Sequence, residues 1–108
     1  MRLVLAGFTI AFCVAMMLMI VLNARAQRTV WDRLAECESG GRWRYNGSSG
    51  FDGGLQFHPS TWRSFKPRRY PRYAWQAPRW KQIVVAKRVL RVQGWNAWPA
   101  CSLRLGLR

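Results

Sequence analysis

The sequence is short of acids. Four carboxylates, Asp32, Glu36, Glu38 and Asp52, stand against 18 Lys plus Arg in 108 residues. That shortage excludes an acidic enzyme and a two-metal carboxylate centre, and it confines acid–base chemistry to four side chains. Histidine is scarcer still: His58 has no His or Cys at metal-ligand spacing, so no metal site is expected. The chain has no internal repeat, no low-complexity tract, no serine nucleophile elbow and no phosphate-binding glycine loop, and no cofactor is expected. Its length admits one small domain and not two. What it does have is charge of one sign, a formal +14, with 15 Arg to 3 Lys. Such an excess suits a polyanionic partner, and arginine forks match phosphate or carboxylate. Half of the chain is apolar, which separates it from a disordered basic tail.

Residues Leu3 to Leu22 run for 20 positions without a charge, preceded by Arg2. At about 1.5 Å per residue a helix of that length would cross a hydrocarbon core of about 30 Å. Asn23-Ala24-Arg25-Ala26 then fits the small-x-small pattern of signal peptidase, with cleavage before Gln27. Against a simple signal peptide, the run is long, and Arg25, Arg28 and Arg33 follow it. Residues 1–26 are therefore read as a signal peptide or an uncleaved membrane anchor through residues 3–22, with a buried core helix as the third reading. Either of the first two exports residues 27–108, secreted or held at the outer face of the membrane in the cell-wall space. There a bridge between Cys37 and Cys101 could persist, and closing a loop of roughly 65 residues would contribute on the order of 4 kcal/mol. Two buried free thiols are the alternative. Cys13 follows Phe12 and so is not a lipoprotein cysteine; it is expected to pack as a small apolar residue.

Within residues 27–108, Thr29 and Asp32 resemble a capping box, and Val30, Trp31, Leu34 and Ala35 recur at helical spacing until Ser39-Gly40-Gly41. Residues 42–57 are rich in Gly, Ser and Asn between aromatics and predict a short, irregular β-hairpin. His58-Pro59 opens a short helix, residues 66–79 form a basic, Pro-broken surface loop, and Pro78 to Gln93 form a long helix ended by Gly94. On that helix Ile83, Val85, Ala86, Val89, Leu90 and Val92 share one half, where Gln82 and Gln93 are the only polar residues. The C-terminal tryptophans and Cys101 are expected to pack back on the core. The predicted fold class is α+β, mainly helical, with one short hairpin.

Among the acids, Glu38 falls at 80° on a wheel with Val30 at 0°, between Leu34 at 40° and Trp31 at 100°, at 100° per residue. Asp32 and Glu36 fall on the polar side. Burial beside apolar neighbours and a position in the last helical turn both favour the neutral carboxyl, the state a general acid requires. The competing reading is a rim glutamate whose head reaches solvent past Gly40-Gly41. Asp52, in the predicted hairpin, is the second carboxylate candidate, as in a two-acid glycosidase, or else a turn former. His58 reads as a surface imidazole.

These blocks resemble a known family. Val30-Trp31-Asp32-x-Leu34-Ala35-x-Cys37-Glu38-Ser39-Gly40-Gly41-x-Trp43, Gly53-Gly54-Leu55-Gln56-Phe57, Ser60-Thr61-Trp62 and Gln93-Gly94-Trp95-x-Ala97-Trp98-Pro99-x-Cys101 resemble, in order, the resuscitation-promoting factor domain. The likeness runs from about residue 29 to 108. It implies a small lysozyme-like, transglycosylase-type fold acting on glycan strands of bacterial peptidoglycan, with Glu38 as the catalytic acid. It also implies a Cys37–Cys101 disulfide and a substrate cleft at Trp43, Gln56, Thr61 and Gln93. His58 and the segment Asn46–Phe51 depart from the family's usual residues. The expected function is a lytic transglycosylase or muramidase serving wall remodelling or growth resuscitation, its surplus charge acting as a tether to anionic wall polymers. The alternative is a non-catalytic module that binds wall glycan or a partner cell-wall hydrolase. A basic nucleic-acid binder is a third reading; export and the cysteine pair argue against it, and no nucleic acid is expected.

Overall fold

The computed structural model describes residues 2–26 and 28–108, with the side chains of 7–23 and 28–108. The expected cleavage point before Gln27 lies outside the described residues. Helix α1 (Arg2–Ala26) carries the apolar run. All its described side chains are exposed, Phe8 and Ile20 among them, so the core-helix reading does not hold. Cys13 is likewise a free, exposed thiol rather than a packed one. Among the described residues, which for α1 means side chains 7–23, no helix is long and apolar enough to cross a membrane.

The rest of the chain folds around one core. Helix α2 (Val30–Ser39) starts at Thr29, whose backbone N–H and Oγ1 both donate to Asp32 Oδ2 at 3.0 and 3.2 Å, so a first-turn carboxylate satisfies an orphan donor. It ends at Gly40, where the N–H groups of Gly40 and Gly41 donate back to the carbonyls of Glu36 and Ala35. Trp31, Leu34 and Ala35 are buried. Helix α3 (Pro59–Phe65) is capped by His58, whose ring accepts from the Ser60 N–H. It buries Trp62, whose indole donates to the Pro71 carbonyl. Helix α4 (Arg79–Gln93) buries Gln82, Val85, Ala86 and Val89. Val92 does not join them at 73% exposure; Arg91, Val92 and Gln93 are all exposed, so the last turn stands clear of the core. After a 3₁₀ turn over Gly94–Ala97, helix α5 (Pro99–Arg104) brings Cys101 to Cys37 in a disulfide. Trp98 is buried against Trp31, and Trp95 packs on both at centroid distances of 5.5 and 6.1 Å. The 66–79 segment is more than a surface loop: it holds a 3₁₀ turn at Ala74–Gln76 and buries Ala74 and Ala77.

The expected hairpin is absent, and with it the α+β assignment. The described residues form helices and no strand, apart from a lone antiparallel bridge between Asp52 and Phe57. The reason lies in how the backbone of residues 52–57 satisfies its hydrogen bonds. A hairpin would pair them with a neighbouring strand. Here the Gly54 N–H donates to Gln82 Oε1 at 2.9 Å, the Gly54 carbonyl accepts from Ser39 Oγ at 2.8 Å, and the Leu55 carbonyl accepts from Trp98 Nε1 at 3.0 Å. The Gly53 N–H donates to the Tyr45 carbonyl at 2.8 Å. Side chains from three separate parts of the helical body replace the missing strand. The glycines permit this: Gly53 has φ +78, and a Cβ on Gly54 would lie 2.5 Å from the Trp43 ring.

Candidate active site

The four acids have four different surroundings. Asp32 forms a bidentate pair with Arg79 at 2.6 and 2.7 Å, and that guanidinium holds its carboxyl below the usual range. Arg79 also lies 5.6 Å from the centroid of Trp43, so the pair ties the start of α2 to the start of α4. Glu36 is exposed and 3.9 Å from Arg28. Asp52 is buried at 6% exposure, and its Oδ1 accepts from the Trp75 N–H at 3.0 Å. Burial pushes its pKa up, against the pull of the Trp75 and Ala74 amides and of nearby His58. Glu38 is half-buried, and burial alone pushes its carboxyl up. Alone of the four, it has no hydrogen-bond or ion-pair partner among the described residues.

Glu38 is flanked by two anchors. Cys37 is bonded to Cys101, and Ser39 Oγ reaches the Gly54 carbonyl while also sharing its proton with the Ala35 carbonyl and accepting from the Arg42 N–H. The last turn of α2 is thus fixed to α5 on one side and to the 52–57 turn on the other. That turn carries Gln56, a non-glycine residue at φ +51, a sparsely populated conformation held by the bonds around it.

Three of the four cleft residues expected from the resemblance come together. Gln56, Thr61 and Gln93 line one cleft of about 90 Å³ with Phe51, Phe57, His58, Val89, Ala97 and Trp98. The amides and hydroxyl sit among apolar walls, the composition of a small-ligand site. Trp43 is not in it. Its ring packs over Gly54 and against the core, and its carbonyl accepts from Gln82. Asp52 lines an adjoining depression of about 300 Å³ with Asn46, Pro59, Tyr73, Trp75 and Phe51, the last of which it shares with the cleft. Among the described residues no His/Cys/Asp/Glu group could hold a metal.

Gln82 carries a legible signal that points away from the cleft. A glutamine among apolar neighbours needs partners, and Gln82 finds them in the backbone: it accepts from Gly54 and donates to the carbonyls of Trp43, Ala74 and Ala77 at 2.7–2.9 Å. It has no accessible surface for a ligand. Gln93, its counterpart on the wheel, is exposed in the cleft. His58 and Phe51 are cleft residues that the sequence pattern assigns to surface and hairpin; their rings meet edge to face at 5.8 Å.

Residues 25–101 match the family model described as a transglycosylase-like domain. The chain belongs to that family, in its resuscitation-promoting factor branch. Similar proteins include resuscitation-promoting factor Rpf1 of Corynebacterium glutamicum, 52% identical over 95% of this chain and 53% of the relative. Resuscitation-promoting factor Rpf of Micrococcus luteus is 43% identical over 96% of this chain and 45% of its own length. RpfC of Mycobacterium tuberculosis is 49% identical over 71% of this chain and 53% of its own. The chain thus spans about half the length of these curated relatives.

Proposed function

We propose that this domain cleaves the glycan strands of bacterial peptidoglycan by a one-acid, transglycosylase-type reaction with Glu38 as the acid. The observation that carries the reading is the contrast among the four acids. Three are engaged or freely solvated, whereas Glu38 is half-buried, unpartnered and raised by desolvation. Desolvation shifts such a carboxyl toward its protonated form, and with no partner among the described residues its proton is free to be donated.

In the proposed reaction Glu38 gives its proton to the glycosidic oxygen between a muramyl and a glucosaminyl unit, and the C1–O bond breaks. The resulting carboxylate takes the proton of the muramyl 6-hydroxyl as that oxygen closes on C1. The product is a 1,6-anhydro sugar, and Glu38 is reprotonated without net change. No second carboxylate is needed. This suits Asp52, whose Oδ1 is engaged with the Trp75 amide. Gln56, Thr61 and Gln93 supply amide and hydroxyl partners for the sugars' acetamido groups and hydroxyls. In this reading residues 1–26 export or anchor the domain, which acts in the cell-wall space during remodelling or resuscitation of growth, alone or beside a partner hydrolase. The relatives' names support the resuscitation role.

The test is the mass spectrum of soluble fragments from purified peptidoglycan treated with the disulfide-bonded chain. Fragments one water lighter than hydrolysis products, absent with Glu38→Gln, are expected. Ordinary reducing ends would replace this mechanism with a muramidase. Release of no fragment by the folded chain would leave a glycan-binding module in its place.

A further inference from the structure

Away from the cleft, the molecule carries a basic surface with no counter-charge of its own. The segment Lys66–Tyr73 reads KPRRYPRY and is followed by exposed Trp80 and by Lys81 at the start of α4. Lys81 Nζ lies 5.0 Å from the centroid of Tyr70 and 5.4 Å from that of Trp80, and the two rings stand 6.2 Å apart at 80°. Lys66 Nζ donates to the Tyr70 carbonyl at 3.3 Å, which holds the segment's turn, and the Arg72 guanidinium lies over Tyr73 at 5.5 Å. Arg68, Arg69 and Arg72 are exposed. Both ion pairs among the described residues lie elsewhere, Arg28–Glu36 and Arg79–Asp32, and neither includes a cation of this patch. Trp80 is 58% exposed, although a tryptophan ring normally finds cover.

We infer that the patch formed by Arg68, Arg69, Arg72 and Lys81 around Tyr70 and Trp80 is a docking surface for a phosphodiester-linked wall polymer. The patch and such a polymer are complementary. The arginines offer exposed guanidinium forks that fit phosphate oxygens, Lys81 adds a point charge, and the open Trp80 face gives a sugar or polyol unit an apolar platform. The patch shares no residue with the cleft of Gln56, Thr61 and Gln93, so polymer and glycan could be held together. Docking would raise the local concentration of enzyme at its wall substrate without touching the chemistry. The inference does not rest on the proposed cleavage reaction.

The full chain in detergent, titrated with poly(glycerol phosphate), tests it. Four cations at counterion-release slopes predict that affinity falls on the order of 50-fold between 50 and 200 mM salt. Arg68→Gln/Arg69→Gln/Arg72→Gln should lose most of that slope and about tenfold or more in affinity. A control of equal charge loss, Arg33→Gln/Arg63→Gln/Arg91→Gln, removes exposed cations outside the patch and should change affinity by less than about threefold. Trp80→Ala should weaken binding about fivefold with the slope unchanged. Equal losses in the two triple variants would overturn the site in favour of net-charge attraction. Equal affinity for polyglutamate of matched charge would overturn phosphodiester recognition. Equal or tighter capture of anionic vesicles by the patch would move the partner to a membrane surface.

Discussion

The last turn of α2 and the turn at 52–57 each hold a buried or half-buried carboxyl, and they treat it in opposite ways. In both, burial raises the pKa. At 52–57 the protein supplies the compensation, with the Trp75 amide on Asp52 Oδ1, and the carboxyl becomes a fastening between two segments. At the end of α2 everything around Glu38 is fastened, Cys37 to Cys101 and Ser39 to Gly54, but Glu38 itself is left unbonded. Desolvation alone therefore does not mark a catalytic acid. The proposed roles rest on that difference: Asp52 Oδ1 has a backbone partner, whereas Glu38 has none among the described residues.

The contrast can be broken most severely through the disulfide. Cys101→Ser should cost about 4 kcal/mol in the loop-entropy estimate, seen as a large drop in Tm, and should lower activity by freeing the last turn of α2. An unchanged Tm would mean the anchor beside Glu38 is unnecessary. Next is Gln82→Leu, which fills the same space but strands the Gly54 N–H and the carbonyls of Trp43 and Ala77, while the Ala74 carbonyl keeps the Ala77 N–H. A loss of about 2–3 kcal/mol in denaturant unfolding is expected, with the 52–57 turn losing hydrogen-exchange protection first. Loss of protection at α2 alone would break the proposed division between the two regions.

The smallest expected effect is electrostatic and sharpens the comparison by its sign. Asp32 is lowered in the fold by Arg79, so its contribution is present above the ordinary carboxylate pKa and lost as pH falls through its lowered value. Glu38 and Asp52 are raised, so each favours the fold at low pH and withdraws that support as pH rises from the ordinary value through its raised one. Arg79→Ala should cost about 1 kcal/mol at neutral pH and nothing once Asp32 is protonated. A stability loss that persists at low pH would assign the effect to lost packing on Trp43 instead.

Much of this arrangement is legible in the sequence because it follows from local rules. The capped start of α2, Pro59 at the first position of α3 and Gly94 after α4 appear where their residue types dictate. Helical period places Glu38 beside the apolar face of α2, and its half-burial fits both that placement and a rim position. The failures share a cause. A glycine-rich segment between aromatics has no period, and whether it pairs as a hairpin depends on what distant side chains offer its backbone. Gln82, Ser39 and Trp98 make that offer from up to 43 residues away. Gln82 also holds the Trp43 carbonyl, and the Trp75 amide, 23 residues away, holds Asp52. His58 reads as a bare surface ring because histidine is not among the preferred capping residues and a cleft wall is a tertiary fact.

The central claim is best tested by measuring Glu38→Gln and Asp52→Asn side by side on purified peptidoglycan. Each keeps the shape of the side chain, and the amide introduced by Asp52→Asn keeps an oxygen to accept from the Trp75 N–H. Glu38→Gln should cut the rate of glycan release by about 10²–10⁴ with Tm unchanged, while Asp52→Asn should stay within about threefold of the unaltered chain. A folded Asp52→Asn chain without activity, or an active Glu38→Gln chain, would contradict the account.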